Sequence, residues 1–394
     1  MITDIRIYPS INSKGEISVK VGVKTESGFY YASVPSGTSK GSSEAKEISF
    51  EKARKIFPKL RHKIIGTQED FERVDRMLRE IDRTQNFSKI GGNLALGISI
   101  AVARAQSKGE LWKLKGLGDE QKFPIPVGNV IGGGSHGGGT DWQEFLLIPY
   151  AAKSPLEAIQ SLVEVWAAIG DEIREKKLLI GRNLENAWMA HMDEEETLEF
   201  LSQIADDWRM RTGVDIAASA LWNGRHYNYK KSGEKLTPEQ QLDFVKEMAE
   251  RYKIWYIEDP FRENSFVWFS HLNREIGRSH LVVGDDLYCT QIRRLEKGIH
   301  EKATNGIIIK PNQAGTLFQS ERVVSIAQKY NIFPVVSHRS GETGDDWIAD
   351  LSILWKAPLI KTGVMGMERL AKHNRLIQLW EEVPEPKMAE INFL

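Results

Sequence analysis

Apolar residues recur along this chain in two rhythms. In the first 34 residues they come in short runs rich in β-branched and aromatic side chains, ISVKVGVKT and FYYASVP. Turn signals stand around Ser13–Gly15 and Ser27–Gly28, so the pattern predicts strands. A small-residue loop, PSGTSKGSS, follows at 35–43; Gly37 and Gly41 can hinge it, and almost nothing in it can pack a core. From about Ser43 to Gly109 the spacing turns helical. FERVDRMLREI repeats apolar residues at helical intervals, and GNLALGISIAVARAQ is apolar nearly throughout, which predicts a buried helix. The front third reads as an α+β unit.

The stretch GLGDEQKFPIPVG, at 116–128, carries the glycines and prolines of a crossing into a second domain, so domains over 1–115 and 116–394 are expected. Strand-like FLLIPY and a helical stretch over Ser154–Lys177 come next. Short apolar runs then alternate with helices: TGVDIAAS, IWYIEDPF, LVVGDDL, GIIIKPN, FPVVSHRS and LIKTG. The polar residues closing these runs are spaced 43, 27, 25, 28 and 23 residues apart. One strand, one helix and two short connections fill such a step. Parallel strands with helical crossovers, closed into an α/β barrel, are the economical reading.

The closing residues are Asp215, Glu258, Asp285, Lys310, His338 with Arg339, and Lys361. In a parallel barrel all of them fall at the C-terminal mouth, where such barrels place their chemistry. Any single Asp among them reads more simply as a helix cap. Six in register do not, because each recurs at the same phase of its own unit. Three carboxylates without cysteine make a hard oxygen site that suits Mg²⁺, whereas zinc recruits His or Cys. Lys310 beside them is either a counterion or a catalytic base. Desolvation among other cations can bring a lysine pKa down to about 7–8 for proton abstraction.

Composition narrows the picture. Of 394 residues, 27% are charged and 41% hydrophobic, as in ordinary globular proteins, and one barrel plus a smaller domain fits that length. Lys and Arg sum to 53 against 54 for Asp and Glu, so nothing draws the chain to nucleic acid or to an anionic membrane. The eleven Trp do not interleave with a basic run and read as packing. Cys289, alone, excludes an intrachain disulfide and reads as a small buried side chain. MITDIRIYPS lacks the features of a signal peptide, and no run of ~18 apolar residues occurs, so a cytoplasmic enzyme is expected. Gly132, Gly134 and Gly137 match GxGxxG, but the following TDWQEFLLIP reads as a strand rather than a phosphate-binding helix.

Taken in order, PSGTSKGSSEA, GGNLALGISIAVARA, GNVIGGGSHGG with QEFLLIP, TGVDIAAS, YIEDPF, VVGDDL, IIIKPNQAGT, VSHRSGET, and IKTG followed by ERLAKHN resemble the enolases (phosphopyruvate hydratases) over nearly the whole chain. The resemblance implies an enolase-type barrel behind an N-terminal α+β capping domain. It implies Mg²⁺-dependent dehydration of 2-phosphoglycerate to phosphoenolpyruvate. It makes Asp215, Glu258 and Asp285 ligands of a first Mg²⁺, and Ser39 a ligand of a second that arrives with substrate. Lys310 becomes the base, Glu185 the general acid, and Glu144 its support. Lys361 becomes a carboxylate contact, and Arg339 and Ser340 phosphate ligands, since a guanidinium fork suits phosphate oxygens. His338 and His136 become contacts on closing loops, with Gln143 beside the site. It further implies a homodimer or higher homo-oligomer.

The chain departs from the family pattern in four places, one being a His136 loop one residue shorter before Gln143. In GRNLENAWMA, Leu184 replaces an acid, Asn186 a glycine and Ala190 a proline, changes that can alter the acid's pKa or move the loop. Lys40 replaces a threonine after Ser39, where a cation opposes a second metal. Lys14 can still meet Glu381 across a dimer, but Lys20 would face Gln378. These departures keep two alternatives open: an enolase-like paralogue acting on a related phosphorylated or carboxylated substrate, and a weakly catalytic binding protein.

Overall fold

The structure, a computed structural model, describes residues 1–38, 41–116 and 121–391. The front unit is an antiparallel sheet of Asp4–Ile11, Ile17–Thr25 and Gly28–Ser33, followed by helices Phe50–Ile64, Phe71–Asp82 and Gly92–Gln106. Ser49 and Asp70 cap the first two helices by accepting from the N–H groups of Lys52 and Arg73. The third helix is buried along almost its whole length, as its continuous apolar run predicts. It packs on the sheet, with Gly97 against Val21 and Val34.

Eight strands close the barrel: Ile125–Gly132, Glu144–Ile148, Arg211–Asp215, Ile254–Glu258, Leu281–Gly284, Gly306–Ile309, Phe333–Ser337 and Leu359–Lys361. Pairing of Lys361 with Val127 completes the ring. Alternate residues point inward, so Ile125, Val127, Leu146, Ile148, Leu281, Val283, Ile308, Val335 and Leu359 fill the interior as a packed core rather than a pore. Long amphipathic helices cover the outside. Pro155–Glu175 and Pro238–Arg251 each start with a proline after a capping Ser154 or Thr237.

One expectation needs correcting. The second strand, Glu144–Ile148, runs antiparallel to both neighbours. Only residues 133–143 connect it to the first strand, and a parallel return needs a dozen or more. The reversal brings the start of this strand, rather than its end, to the C-terminal mouth, and Glu144 pairs in register with Asp215.

One half-buried ion-pair cluster and two buried contacts lock the front unit onto the barrel. Arg104 meets Asp345 at 2.8 Å and Asp346 at 2.6 Å. Arg339 meets Glu44 at 3.0 Å. Asp75 accepts from Ser99 Oγ at 2.7 Å and from the N–H of Phe318 at 3.0 Å, while Ser99 Oγ accepts from the N–H of Leu317. Asp75 and Ser99 thus serve the open first turn of helix Leu317–Lys329.

Candidate active site

The strand ends assemble a ring of charge. Asp215, Glu258 and Lys361 are the last residues of their strands, and Asp285, Lys310 and His338 follow theirs directly. Lys361 Nζ lies 2.9 Å from Glu144, 3.1 Å from Asp215 and 2.8 Å from Glu258, all buried. Lys310 Nζ pairs with Asp285. Gln143 reaches Asp215 Oδ2 at 3.4 Å and accepts from Ser135 Oγ at 2.6 Å. Ten of the predicted side chains therefore share one mouth with Glu185 and His136. Ser39 and Lys40 lie outside the described residues.

The three acids expected to hold a metal crowd like charges together at the mouth. Glu258 is fully buried, and its Oε1 has no hydrogen-bond partner. Burial, then Asp215, pushes its pKa well above the usual carboxylate range. An orphaned buried oxygen among like charges is what a hard cation relieves. The donors are all oxygens, and the residues fit Mg²⁺. Among the described residues, however, the His and acid ligand atoms that converge within 4.8 Å are those of His136, Glu144 and Glu185. The three strand-end acids are instead drawn toward Lys361 and Lys310.

Lys310 differs from expectation. Burial lowers its affinity for a proton, and Arg339 and Lys361 add to that, but Asp285 in direct contact outweighs them and holds the amine above its ordinary pKa.

A second group adjoins Lys361 through Glu144. Glu144 Oε1 lies 3.9 Å from His136 Nδ1, and Glu185 Oε2 lies 3.7 Å from His338 Nε2. Burial raises Glu144 to about 7 despite Lys361 beside it. Burial acts the same way on Glu185, but His136, His338, Arg369 and Lys361 together outweigh it, and Glu185 is held below the ordinary range. The surroundings therefore push the two acids in opposite directions, favouring the protonated form of Glu144 and the ionised form of Glu185.

The Glu185 loop explains its own departures. Asn186 takes φ +61°, the left-handed region in which asparagine is the best-tolerated substitute for glycine. Asn183 Oδ1 accepts from the N–H groups of Glu185 and Ala187 at 2.9 and 3.0 Å, and Trp166 Nε1 donates to the Asn186 carbonyl at 3.0 Å. Leu184 is half exposed and points away from the acid pair's buried surroundings.

Arg339 sits against the front unit. Its guanidinium donates to Glu44 and to Asn312 Oδ1, and a Cβ on Gly37 would fall 1.8 Å from Nη2, so only glycine lets this backbone lie on the fork. Ser340 Oγ bonds Thr38 Oγ1 at 2.8 Å and accepts from the Thr38 N–H.

Three residues were not foreseen as parts of the site. Glu44 partners Arg339. Gln313 donates to Glu44 at 3.2 Å and Asp285 at 3.3 Å; its place three residues after Lys310 was a usable signal. Arg369, fully buried, reaches His338 from the last helix, and only its tertiary position reveals it.

Comparison with known proteins covers nearly the whole chain. Residues 2–114 match the family profile described as Enolase, N-terminal domain, and residues 120–390 that described as Enolase, C-terminal TIM barrel domain. The chain is 38% identical over 411 residues to the enolase of Methanosphaera stadtmanae, covering 99% of both chains. It is 39% identical to the enolase of Archaeoglobus fulgidus, covering 99% of this chain and 100% of that one. It is also 39% identical to that of Picrophilus torridus, covering 97% and 99%.

Proposed function

The chain belongs to the enolase family, and from that premise we propose how its own side chains dehydrate 2-phosphoglycerate to phosphoenolpyruvate. The observation that carries the assignment of roles is the convergence of two buried lysines and a proton-sharing Glu144–Glu185 pair on one barrel mouth.

Lys310 takes the proton beside the substrate carboxylate, and Lys361 pairs with that carboxylate. Arg339, oriented by Glu44, and Ser340 hold the phosphate. The Glu144–Glu185 pair delivers a proton to the departing hydroxyl, with Glu144 holding it beforehand and Glu185 presented by the loop. His338 and His136 flank that pair and shape the pocket around the leaving group, with Gln143 orienting Asp215. Mg²⁺ bound by Asp215, Glu258 and Asp285 would supply positive charge against the dianion that forms and weaken the hold of Asp285 on the Lys310 proton. We assign Ser39 as a ligand of a second Mg²⁺ that enters with substrate.

We further propose a cytoplasmic homodimer. Exposed Ile11 and Ile17, paired at the hairpin end of the first two strands, support an interface there, and buried Cys289 with no disulfide partner suits a reducing compartment. Among the described residues no helix is long and apolar enough to cross a membrane. The paralogue and binding-protein readings gain no support, since Asn186 keeps the loop conformation and Lys310, Glu185 and the three strand-end acids are all present.

With Mg²⁺, the purified protein should convert 2-phosphoglycerate to phosphoenolpyruvate, followed as rising ultraviolet absorbance. Absence of turnover by folded, metal-loaded protein would overturn the assignment.

A further inference from the structure

We propose that Arg369 is a positioning residue that sets the tautomer of His338 and pins the backbone of the Glu185 loop; this rests on the roles proposed above for Glu185 and His338. Arg369 lies in the first turn of helix Met367–Glu382 and is fully buried. A buried guanidinium is costly unless its donors are used. Its nearest carboxylate, Glu368, is 3.8 Å from Nε, so this ion pair does not account for its placement. The donors go to the active site instead. Nη1 lies 2.7 Å from His338 Nδ1, Nε donates to the Glu185 carbonyl at 3.3 Å, and Nη2 reaches the Leu184 carbonyl at 3.5 Å. Gly363, at φ +68°, makes room: a Cβ there would meet Arg369 Cδ at 2.7 Å and His338 Cε1 at 3.4 Å.

The chemistry of the contact dictates the tautomer. Arginine has donors and no acceptor, so the 2.7 Å contact requires Nδ1 of His338 to carry a lone pair. The single ring proton of the neutral imidazole then sits on Nε2, which faces Glu185 Oε2. Charge acts in the same direction. Burial, then Arg369, with Lys361 and Lys310 behind them, lowers the His338 pKa well below its ordinary value, and Glu185 alone opposes them. His338 is thereby a neutral donor aimed at the acid pair. Were it cationic, it would hold Glu185 ionised more firmly and work against proton delivery. The same arginine fixes the loop at Leu184 and Glu185, where the chain departs from its relatives' pattern and regular secondary structure gives way to side-chain bonds.

The test is nitrogen-15 NMR of the histidines in the full-length protein, with His338→Gln used only to assign the signal. The wild type should show a neutral ring protonated at Nε2 that stays neutral below about pH 6.5, the ordinary histidine value. Arg369→Gln should give a mixed tautomer titrating nearer that value, and a matching new inflection in the pH profile of kcat. Its kcat should fall roughly tenfold to hundredfold, as for loss of an orienting partner, with KM changed less than about twofold. Arg369→Lys, which restores a donor to Nδ1, should recover the tautomer and part of kcat. A wild-type ring protonated at Nδ1 would overturn the proposal, as would wild-type tautomer and pH profile in folded Arg369→Gln. Should Arg369→Gln not fold, the wild-type tautomer and the Arg369→Lys profile decide. The tautomer is read without turnover, so failure of the assigned reaction would be seen separately.

Discussion

The two sides of the barrel mouth are built differently. On one side, Asp215, Glu258, Lys361 and Lys310 stand on or directly after hydrogen-bonded strands, with Asp215 in register with both Glu258 and Glu144. Their positions follow from where apolar runs stop. On the other side, Glu185 stands on a loop held by Asn183, Trp166 and Arg369 through side-chain bonds to backbone, and Arg369 also reaches the ring of His338, which directly follows its strand. The rim side is tied by strand pairing and gathers acids around amines. The loop side is tied by side-chain bonds and carries two glutamates whose proton affinities are pushed apart.

Breaking the rim side should cost most. Lys310→Ala should lower kcat by about a thousandfold or more, toward the upper range for loss of a general base, with an unchanged circular-dichroism spectrum. Glu258→Gln should raise the Mg²⁺ concentration needed for half-maximal activity by at least the roughly hundredfold that loss of an outer-shell partner can cost. Without metal, the same variant should melt no lower than wild type, because it removes a buried carboxylate whose ionisation is opposed by burial and Asp215. A melt several degrees lower would show that the Glu258 charge is already satisfied by Lys361.

The loop side should give smaller, conformational effects. Asn186→Ala should destabilise by about 1 kcal/mol, the cost of a Cβ in the left-handed region without asparagine's local bonding, and lower kcat a few-fold. Asn186→Gly should leave kcat near wild type. Equal losses in the two variants would mean the Asn186 side chain, rather than its φ of +61°, is what the loop needs.

The smallest effect on turnover belongs to the junction beneath the loops. Burial raises the Asp75 pKa to about 7. An acid that holds its proton more tightly when folded contributes most below its unfolded value near 3.8, and that contribution is lost as pH rises to about 7. The melting temperature should therefore carry a falling component between pH 4 and 7 that Asp75→Asn removes, with kcat unchanged. An identical slope in both proteins would place the titration elsewhere.

The same contrast governs what could be read from sequence. Strand-end residues were legible because each closed an apolar run at a repeating interval. The reversed second strand was not read, although the short connection between Gly132 and Glu144 carried the signal. The raised pKa of Lys310 was missed because residue types do not tell which acid touches which amine; Asp285 rather than a neighbouring cation decides it. Glu44, Gln313 and Arg369 act across domains or from the last helix, and their roles exist only in three dimensions. Asn186 looked like a disruption in sequence and proves to occupy the left-handed region, which glycine and asparagine tolerate better than other residues.

The central claim is that the strand-end acids, and not the loop cluster, hold the metal. Crystals grown with Mn²⁺ in place of Mg²⁺, without substrate, would locate the ion by anomalous scattering. A peak is expected among Asp215, Glu258 and Asp285, with the Lys310 amine drawn away from Asp285. A peak at His136, Glu144 and Glu185 alone would contradict it.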